Sequence, residues 1–445
     1  MPIAEGIRRA LGASSMIRKM FDEGAALKRE HGADRVFDFS LGSPALQPPP
    51  ELREALARLA AEGAPGAHGY APSAGLPEAR AAMAAKASRD HRMELDASCV
   101  VMSAGAAGAL NAVFKAVCSP GDEIAVSRPF FPEYAPYAAN CGARLVVADS
   151  LPDFGLDVGA IAKALSPRTA AVLVNSPCNP TGKVYPAQAL AELAGAMRAH
   201  GARVSRMPYL VADEPYREIA FGAEVPPVLP VYEESFAVYS FSKSLSLPGE
   251  RIGYVAASPA MRNRAEVIEA LAYATRVLGF VGAPALMQRA VAQAGAAALE
   301  SAALSGSALS SARPAGPAPG CGAEEGAPPG SPAAGGAAGG VSGEYLRRRE
   351  AMMAVLSGAG IECAAPEGAF YAFFRVPPRG GGEGEGGAPD DIAFAECLKR
   401  HLILGVPGSG FGQPGWLRLA FCAGEKAIRA SAGAFASAMA EWRSC

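Results

Sequence analysis

Tyr239-Ser-Phe-Ser-Lys-Ser-Leu-Ser-Leu-Pro-Gly-Glu-Arg-Ile-Gly-Tyr254 holds one lysine, Lys243, among Ser240, Ser242, Ser244 and Ser246, and carries Arg251 further on. The run that feeds it, Phe236-Ala-Val-Tyr239, is aromatic and β-branched and reads as a buried strand. An ammonium group at the end of a buried strand is costly to desolvate without a partner. The same desolvation lowers its pKa and frees the amine as a nucleophile toward carbonyls. Serine hydroxyls and a guanidinium beside it suit a phosphate. A lysine for an aldehyde and a phosphate clamp within one loop describe pyridoxal 5'-phosphate (PLP). A polar surface loop has the same composition, so the rest of the chain has to decide.

Upstream of that stretch, apolar strands repeatedly run into polar loops. Tyr209-Leu-Val-Ala212 leads into Asp213-Glu-Pro-Tyr216, and Ala170-Ala-Val-Leu-Val174 into Asn175-Ser-Pro-Cys-Asn-Pro-Thr-Gly182. A carboxylate at the C-terminal end of an apolar strand lies where open parallel sheets bind ligands. Val100-Val-Met102 is followed by Ser-Ala-Gly-Ala-Ala-Gly-Ala-Leu-Asn111, small residues that open a helix. Such a turn leaves backbone N–H groups free to hold a phosphate at the positive helix end. It matches neither a dinucleotide-binding nor an ATP-binding glycine loop. Glu123-Ile-Ala-Val126 and Arg144-Leu-Val-Val-Ala148 add two strands, and Arg128-Pro-Phe-Phe-Pro-Glu-Tyr134 follows the first of them. An aromatic just past a strand end can cover a flat ring or pack into a core. Strands alternating with helices over residues 100–260 imply an α/β doubly wound sheet.

Further out, residues 16–31 have the spacing of an amphipathic helix, and 51–62 read as a helix ending at Gly63. Between them Val36-Phe-Asp-Phe-Ser-Leu-Gly-Ser-Pro44 is a strand running into a turn. Gly42 there is either a plain turn glycine or one that admits close backbone approach, a ligand included. Tyr70, in the breaker-rich loop 68–80, is either an exposed functional tyrosine or a packing one. Downstream, composition collapses into Ala, Gly, Pro and Ser from about Ser301, and again over 379–388. Neither tract has apolar residues to bury, so both are expected to be flexible loops. A helix at 344–356, a strand at 369–376, a helix at 392–401, a strand at 416–421 and a last helix to Trp442 make an α+β second domain. Arg418 stands mid-strand and requires an acceptor.

The expected organisation is an N-terminal arm with part of a small domain over 1–45, a large domain over 46–300, an insert over 301–343 and a small domain over 344–445. The 445 residues suit two domains. Lys+Arg 41 against Asp+Glu 43 argues against a nucleic-acid-coating surface. No apolar run is long enough to cross a membrane. The nine cysteines are scattered and form no C-x-x-C pair, which argues against a zinc site or disulfide scaffold and for a reducing compartment. No apolar signal core stands at the N-terminus, so the cytoplasm is expected.

Four loops thus stand in a fixed order: Ser-Ala-Gly-Ala-Ala-Gly, Asn-Pro-Thr-Gly, Asp-Glu-Pro-Tyr and Ser-Phe-Ser-Lys…Pro-Gly-Glu-Arg-Ile-Gly, with a strand arginine near the C-terminus. Together they resemble the class I/II aminotransferases, PLP enzymes of fold type I in the aspartate aminotransferase superfamily. The resemblance covers roughly residues 35–300 and 341–430. It implies a large domain with a mostly parallel central sheet flanked by helices, and a smaller α+β domain. It implies transfer of an amino group between an L-amino acid and a 2-oxo acid. By the same resemblance Lys243 is the lysine that holds the cofactor aldehyde and then shuttles a proton from the substrate α-carbon. Asp213 pairs with the pyridine nitrogen, Asn179 and Tyr216 bond the ring 3'-oxygen, and Phe131 stacks on the ring. Gly105, Ala106 and Ala107 bind the phosphate with Ser240 and Arg251. Tyr70 reaches the phosphate of a neighbouring subunit in a homodimer. Arg418 grips the substrate α-carboxylate, with the backbone at Gly42 and with Asn179. Two departures stand out: alanines at 106 and 107 supply no hydroxyl, and the tract 302–343 is long for its position.

The same machinery serves β-eliminating lyases and cyclising synthases. A transaminase accumulates the amine form of the cofactor on amino acid alone, whereas a lyase releases ammonia. A non-catalytic PLP-binding regulator would carry a fused DNA-binding domain, and no basic helix-turn-helix precedes residue 40.

Overall fold

The computed structural model describes residues 3–4, 7–8, 16–63, 66, 68–294, 341–380 and 390–444. The insert expected over 301–343 lies outside the described residues as far as 340, and the glycine tract 379–388 lies outside them from 381 on.

A seven-stranded sheet forms the centre, in the order β2-β8-β7-β6-β5-β3-β4. The strands are β2 (Val100–Ser103), β3 (Glu123–Ser127), β4 (Arg144–Ala148), β5 (Thr169–Asn175), β6 (Tyr209–Asp213), β7 (Ser235–Ser240) and β8 (Gly253–Ala257). The pairs β4/β3, β3/β5, β5/β6 and β6/β7 are parallel; β8 runs antiparallel to both β7 and β2. β2, β5, β7 and β8 are buried along their whole length, which explains why they read as continuous apolar runs. Helices cover both faces. On one, the helix Gly105–Val117 packs Leu110, Val113 and Phe114 against Val211, Phe236 and Val255. On the other, the helix Ala187–Val204 buries Leu190, Leu193 and Met197 against Val172 and Leu210.

A smaller antiparallel sheet, β11-β12-β9, uses Val406–Pro407, Trp416–Ala420 and Tyr371–Arg375. Beside it β1 (Phe37–Asp38) pairs in parallel with β10 (Ile403–Leu404), so the chain ahead of the large sheet is stitched to its far end. β1 is shorter than its sequence suggests because Asp38 turns back: its Oδ1 accepts from the backbone N–H and the hydroxyl of Ser40. The helix before β9 also differs from expectation, starting at Val341 and ending at Gly358. Phe39, Phe370, Phe374, Phe394 and Trp442 form the core of this second layer.

Candidate active site

β5, β6 and β7 end side by side at Asn175, Asp213 and Ser240, at the carboxyl edge of the parallel sheet. A cleft of about 500 Å³ opens over them. Gly42, Ala106, Ala107, Phe131, Asn179, Asp213, Tyr216, Ser240, Lys243, Arg251 and Arg418 all line it. Gly105 stands at its rim: a Cβ added there would lie 3.1 Å from the Arg251 guanidinium. Tyr70 alone among the expected residues is elsewhere, 95% exposed and outside the cleft.

Lys243 stands in the single helical turn Phe241–Ser244, which Ser240 caps by accepting from the Ser242 N–H. Its Nζ donates to the Gly42 carbonyl at 2.6 Å and lies 5.8 Å above the Tyr216 ring and 5.4 Å above that of Phe370. Burial lowers its pKa to about 8, as a nucleophilic amine requires. Across the cleft, Asp213 accepts from the Tyr134 hydroxyl at 2.6 Å through Oδ2. Its Oδ1 is buried without a partner. Burial raises its pKa to about 6, against the pull of Tyr134 and Lys243. Asn175 braces the loops: Nδ2 donates to the Asp213 carbonyl at 2.8 Å and Oδ1 accepts from the Asn179 N–H at 2.7 Å.

Arg418 is 1% exposed and enters from β12. One terminal nitrogen donates to Asn179 Oδ1 at 3.0 Å and the other to the Ser40 carbonyl at 2.5 Å. Tyr371 and Phe411 flank its guanidinium at 4.6 and 4.8 Å. Its Nε has no partner, and desolvation depresses its pKa. A planar guanidinium held this way can meet a carboxylate with two parallel hydrogen bonds. Gly42, which on sequence could be a simple turn, does admit a close approach. The neighbour is Tyr371, whose hydroxyl would lie 2.1 Å from a Cβ added there.

At the other end the helix Gly105–Val117 begins without a side-chain cap, leaving its first N–H groups for an anion. Arg251, in a left-handed conformation at φ 52°, bends over that helix start and donates to the carbonyls of Pro248 and Ala104. Phe131 meets Tyr134 edge to face at 5.5 Å. A helix start without a side-chain cap, a buried carboxylate, a lysine of lowered pKa and a buried guanidinium therefore share one cleft.

Sequence reasoning passed over Tyr134, Tyr371 and Asn175. Tyr134 holds Asp213, and the Tyr371 hydroxyl lies 2.8 Å from that of Tyr216. The available signal was chemical: a phenol in an apolar run needs a hydrogen-bond partner when buried.

A family model described as aminotransferase class I and II matches residues 34–311. The aspartate/prephenate aminotransferase of Thermus thermophilus is 30% identical over 92% of this chain and 92% of its own length. The arginine–pyruvate transaminase of Pseudomonas aeruginosa is 28% identical over 94% of this chain and 93% of its own. Among solved structures, an aminotransferase from Eubacterium rectale superposes with a TM-score of 0.82 at 31% identity, covering 99% of each chain. The Thermus thermophilus aspartate aminotransferase with maleate gives a TM-score of 0.79 at 27% identity, over 98% of this chain and 100% of that one.

Proposed function

The chain belongs to the class I and II aminotransferases, enzymes of the PLP fold type I, and from that premise we propose how its own residues bind cofactor and substrate. The reaction is transfer of an amino group between an amino acid and a 2-oxo acid, and the family uses PLP for it. When bound, PLP supplies an aldehyde that condenses with amines and a ring that takes up electrons.

The observation that carries the reading is Asp213 Oδ1. A buried carboxylate oxygen without a donor, opposite a lysine of lowered pKa, fits a protonated ring nitrogen that donates to it. Lys243 would hold the aldehyde and, as a free base, would take the proton from the substrate α-carbon. Tyr216 and Asn179 would hold the ring oxygen, and Phe131 would cover the ring face. The N–H groups at Gly105, Ala106 and Ala107, with Ser240 and Arg251, would hold the phosphate. The alanines at 106 and 107 leave that task to backbone dipoles and the Arg251 charge. Arg418, steadied by Asn179 and backed by the loop at Gly42, grips the α-carboxylate.

The active unit is a homodimer in the cytoplasm, with Tyr70 completing the neighbour's phosphate site. Its 95% exposure outside its own cleft supports that role. No helix among the described residues is long and apolar enough to cross a membrane.

Purified protein given PLP should turn yellow, and borohydride should fix the cofactor on the peptide containing Lys243. A reduced adduct on another lysine, or none at all, would overturn the assignment. Bleaching of the visible band by amino acid alone, without release of ammonia, separates transamination from elimination.

A further inference from the structure

Tyr239 opens the stretch that carries Lys243, yet its ring lies in the core and not in the cleft. It stacks on Tyr254 at 5.2 Å and meets Phe241 edge to face at 5.1 Å. Its hydroxyl donates to Glu218 Oε1 at 2.7 Å and lies 2.7 Å from the Ser244 hydroxyl. Glu218 Oε1 also accepts from Lys86 at 2.6 Å, and Lys86 pairs in addition with Asp90 at 2.6 Å. Lys86 is 3% exposed and rests 4.1 Å above the Tyr239 ring. A charge buried this deeply is tolerated only when paired, so these partners hold one another in place.

The two ends of the chain of contacts matter. Glu218 closes the segment that begins with Asp213 and contains Tyr216, and Ser244 is the residue after Lys243. The ladder between β6 and β7 ends at Asp213 opposite Val238. One more backbone bond, from the Glu214 N–H to the Val238 carbonyl, follows it. Past that point, side chains set the Lys243 turn against segment 214–218.

We propose that Tyr239 is a positioning residue for the reaction: its hydroxyl ties segment 213–218 to the Phe241–Ser244 turn and so fixes where Lys243 stands relative to Asp213. Misplacing a reacting group by about 1 Å costs up to about a hundredfold in rate, so a bridge of this kind bears on turnover. The inference rests on Lys243 being the reactive amine.

The test compares Tyr239→Phe and Ser244→Ala with the parent, all full length. Each variant removes one hydroxyl and leaves the charged groups facing Lys243, namely Asp213, Arg418 and Arg251, and the Cys422 thiol, in place. The pKa of the Lys243 amine is read in cofactor-free protein from the pH dependence of its reductive methylation, followed by mass spectrometry. A loosened turn admits water, so that pKa should rise from about 8 by about one pH unit toward the ordinary lysine value. In cofactor-loaded protein kcat should fall about tenfold, with KM for the amino donor within about twofold, because Arg418 is not part of the bridge. A lower Tm with the Lys243 pKa and kcat unmoved would overturn the proposal and leave the hydroxyl a packing feature. If Tyr239→Phe does not fold, Ser244→Ala decides on the same readings. Failure of the cofactor assignment looks different: the parent itself would then give no borohydride adduct on Lys243.

Discussion

Arg418 and Lys243 show how burial is used at the scale of single residues. Arg418 is enclosed by rings, and two of its three nitrogens are engaged within the protein. Arg418→Lys keeps the charge and loses the fork. The α-carboxylate then loses a charge-assisted hydrogen bond worth about 1.5–3 kcal/mol, so KM should rise about tenfold or more for every amino acid. Cofactor capture should stay intact. A rise confined to dicarboxylic substrates would show instead that Arg418 reads the side chain. For Lys243 the effect is one of pH. Only the neutral amine attacks an aldehyde, and burial brings the pKa down to about 8. PLP capture by cofactor-free protein should therefore climb through about pH 8 and level off above about pH 9. An unshifted lysine would keep gaining up to about pH 10.4. Stopped-flow absorbance across that range separates the two.

At the scale of elements, what the sequence shows clearly is whatever is local. β5, β6 and β7 are apolar runs that stop at a polar residue, and both the strand and its loop can be read from a handful of neighbours. The helix that starts at Gly105 is legible for the same reason, since small residues at a strand-to-helix turn are a backbone signature. The partners that complete the site come from far away in the chain. Tyr134 reaches Asp213 across 79 positions and Asn179 meets Arg418 across 239. No periodicity encodes such pairs; they exist only once the sheet order has been set by packing. Gly42 shows the limit most plainly. Its need for space is visible as a glycine, but that the space goes to the Tyr371 hydroxyl depends on a strand more than 300 residues downstream. Asp38 is a further case: a side chain that bonds Ser40 cuts β1 to two residues, whereas the apolar pattern alone extends it.

At the scale of the whole molecule the open question is which chain completes each site, and Tyr70 is the residue that answers it. It is exposed on the loop after the helix Pro50–Glu62 and contributes nothing to its own cleft. Tyr273 and Val277, on the helix Arg264–Val277, are exposed as well, as surfaces that meet a second copy would be. In a two-fold dimer each Tyr70 would serve the other chain's phosphate. Tyr70→Phe should then weaken cofactor binding by about 0.5–3 kcal/mol, according to how much charge the lost hydrogen bond met. Subunit mixing separates this from a single-chain site. A Lys243→Ala chain is co-folded with an equal amount of a Tyr70→Phe chain, and PLP affinity is measured at the sites that still carry Lys243. All those sites lie in Tyr70→Phe chains. If sites are shared, about half of them face a partner with an intact Tyr70 and should recover the parent affinity, giving a two-phase binding curve. If each chain builds its own site, every one of them keeps the lesion, and the curve stays single-phase at the weakened affinity. Full activity from a monomer at assay concentration would dispose of the shared site altogether.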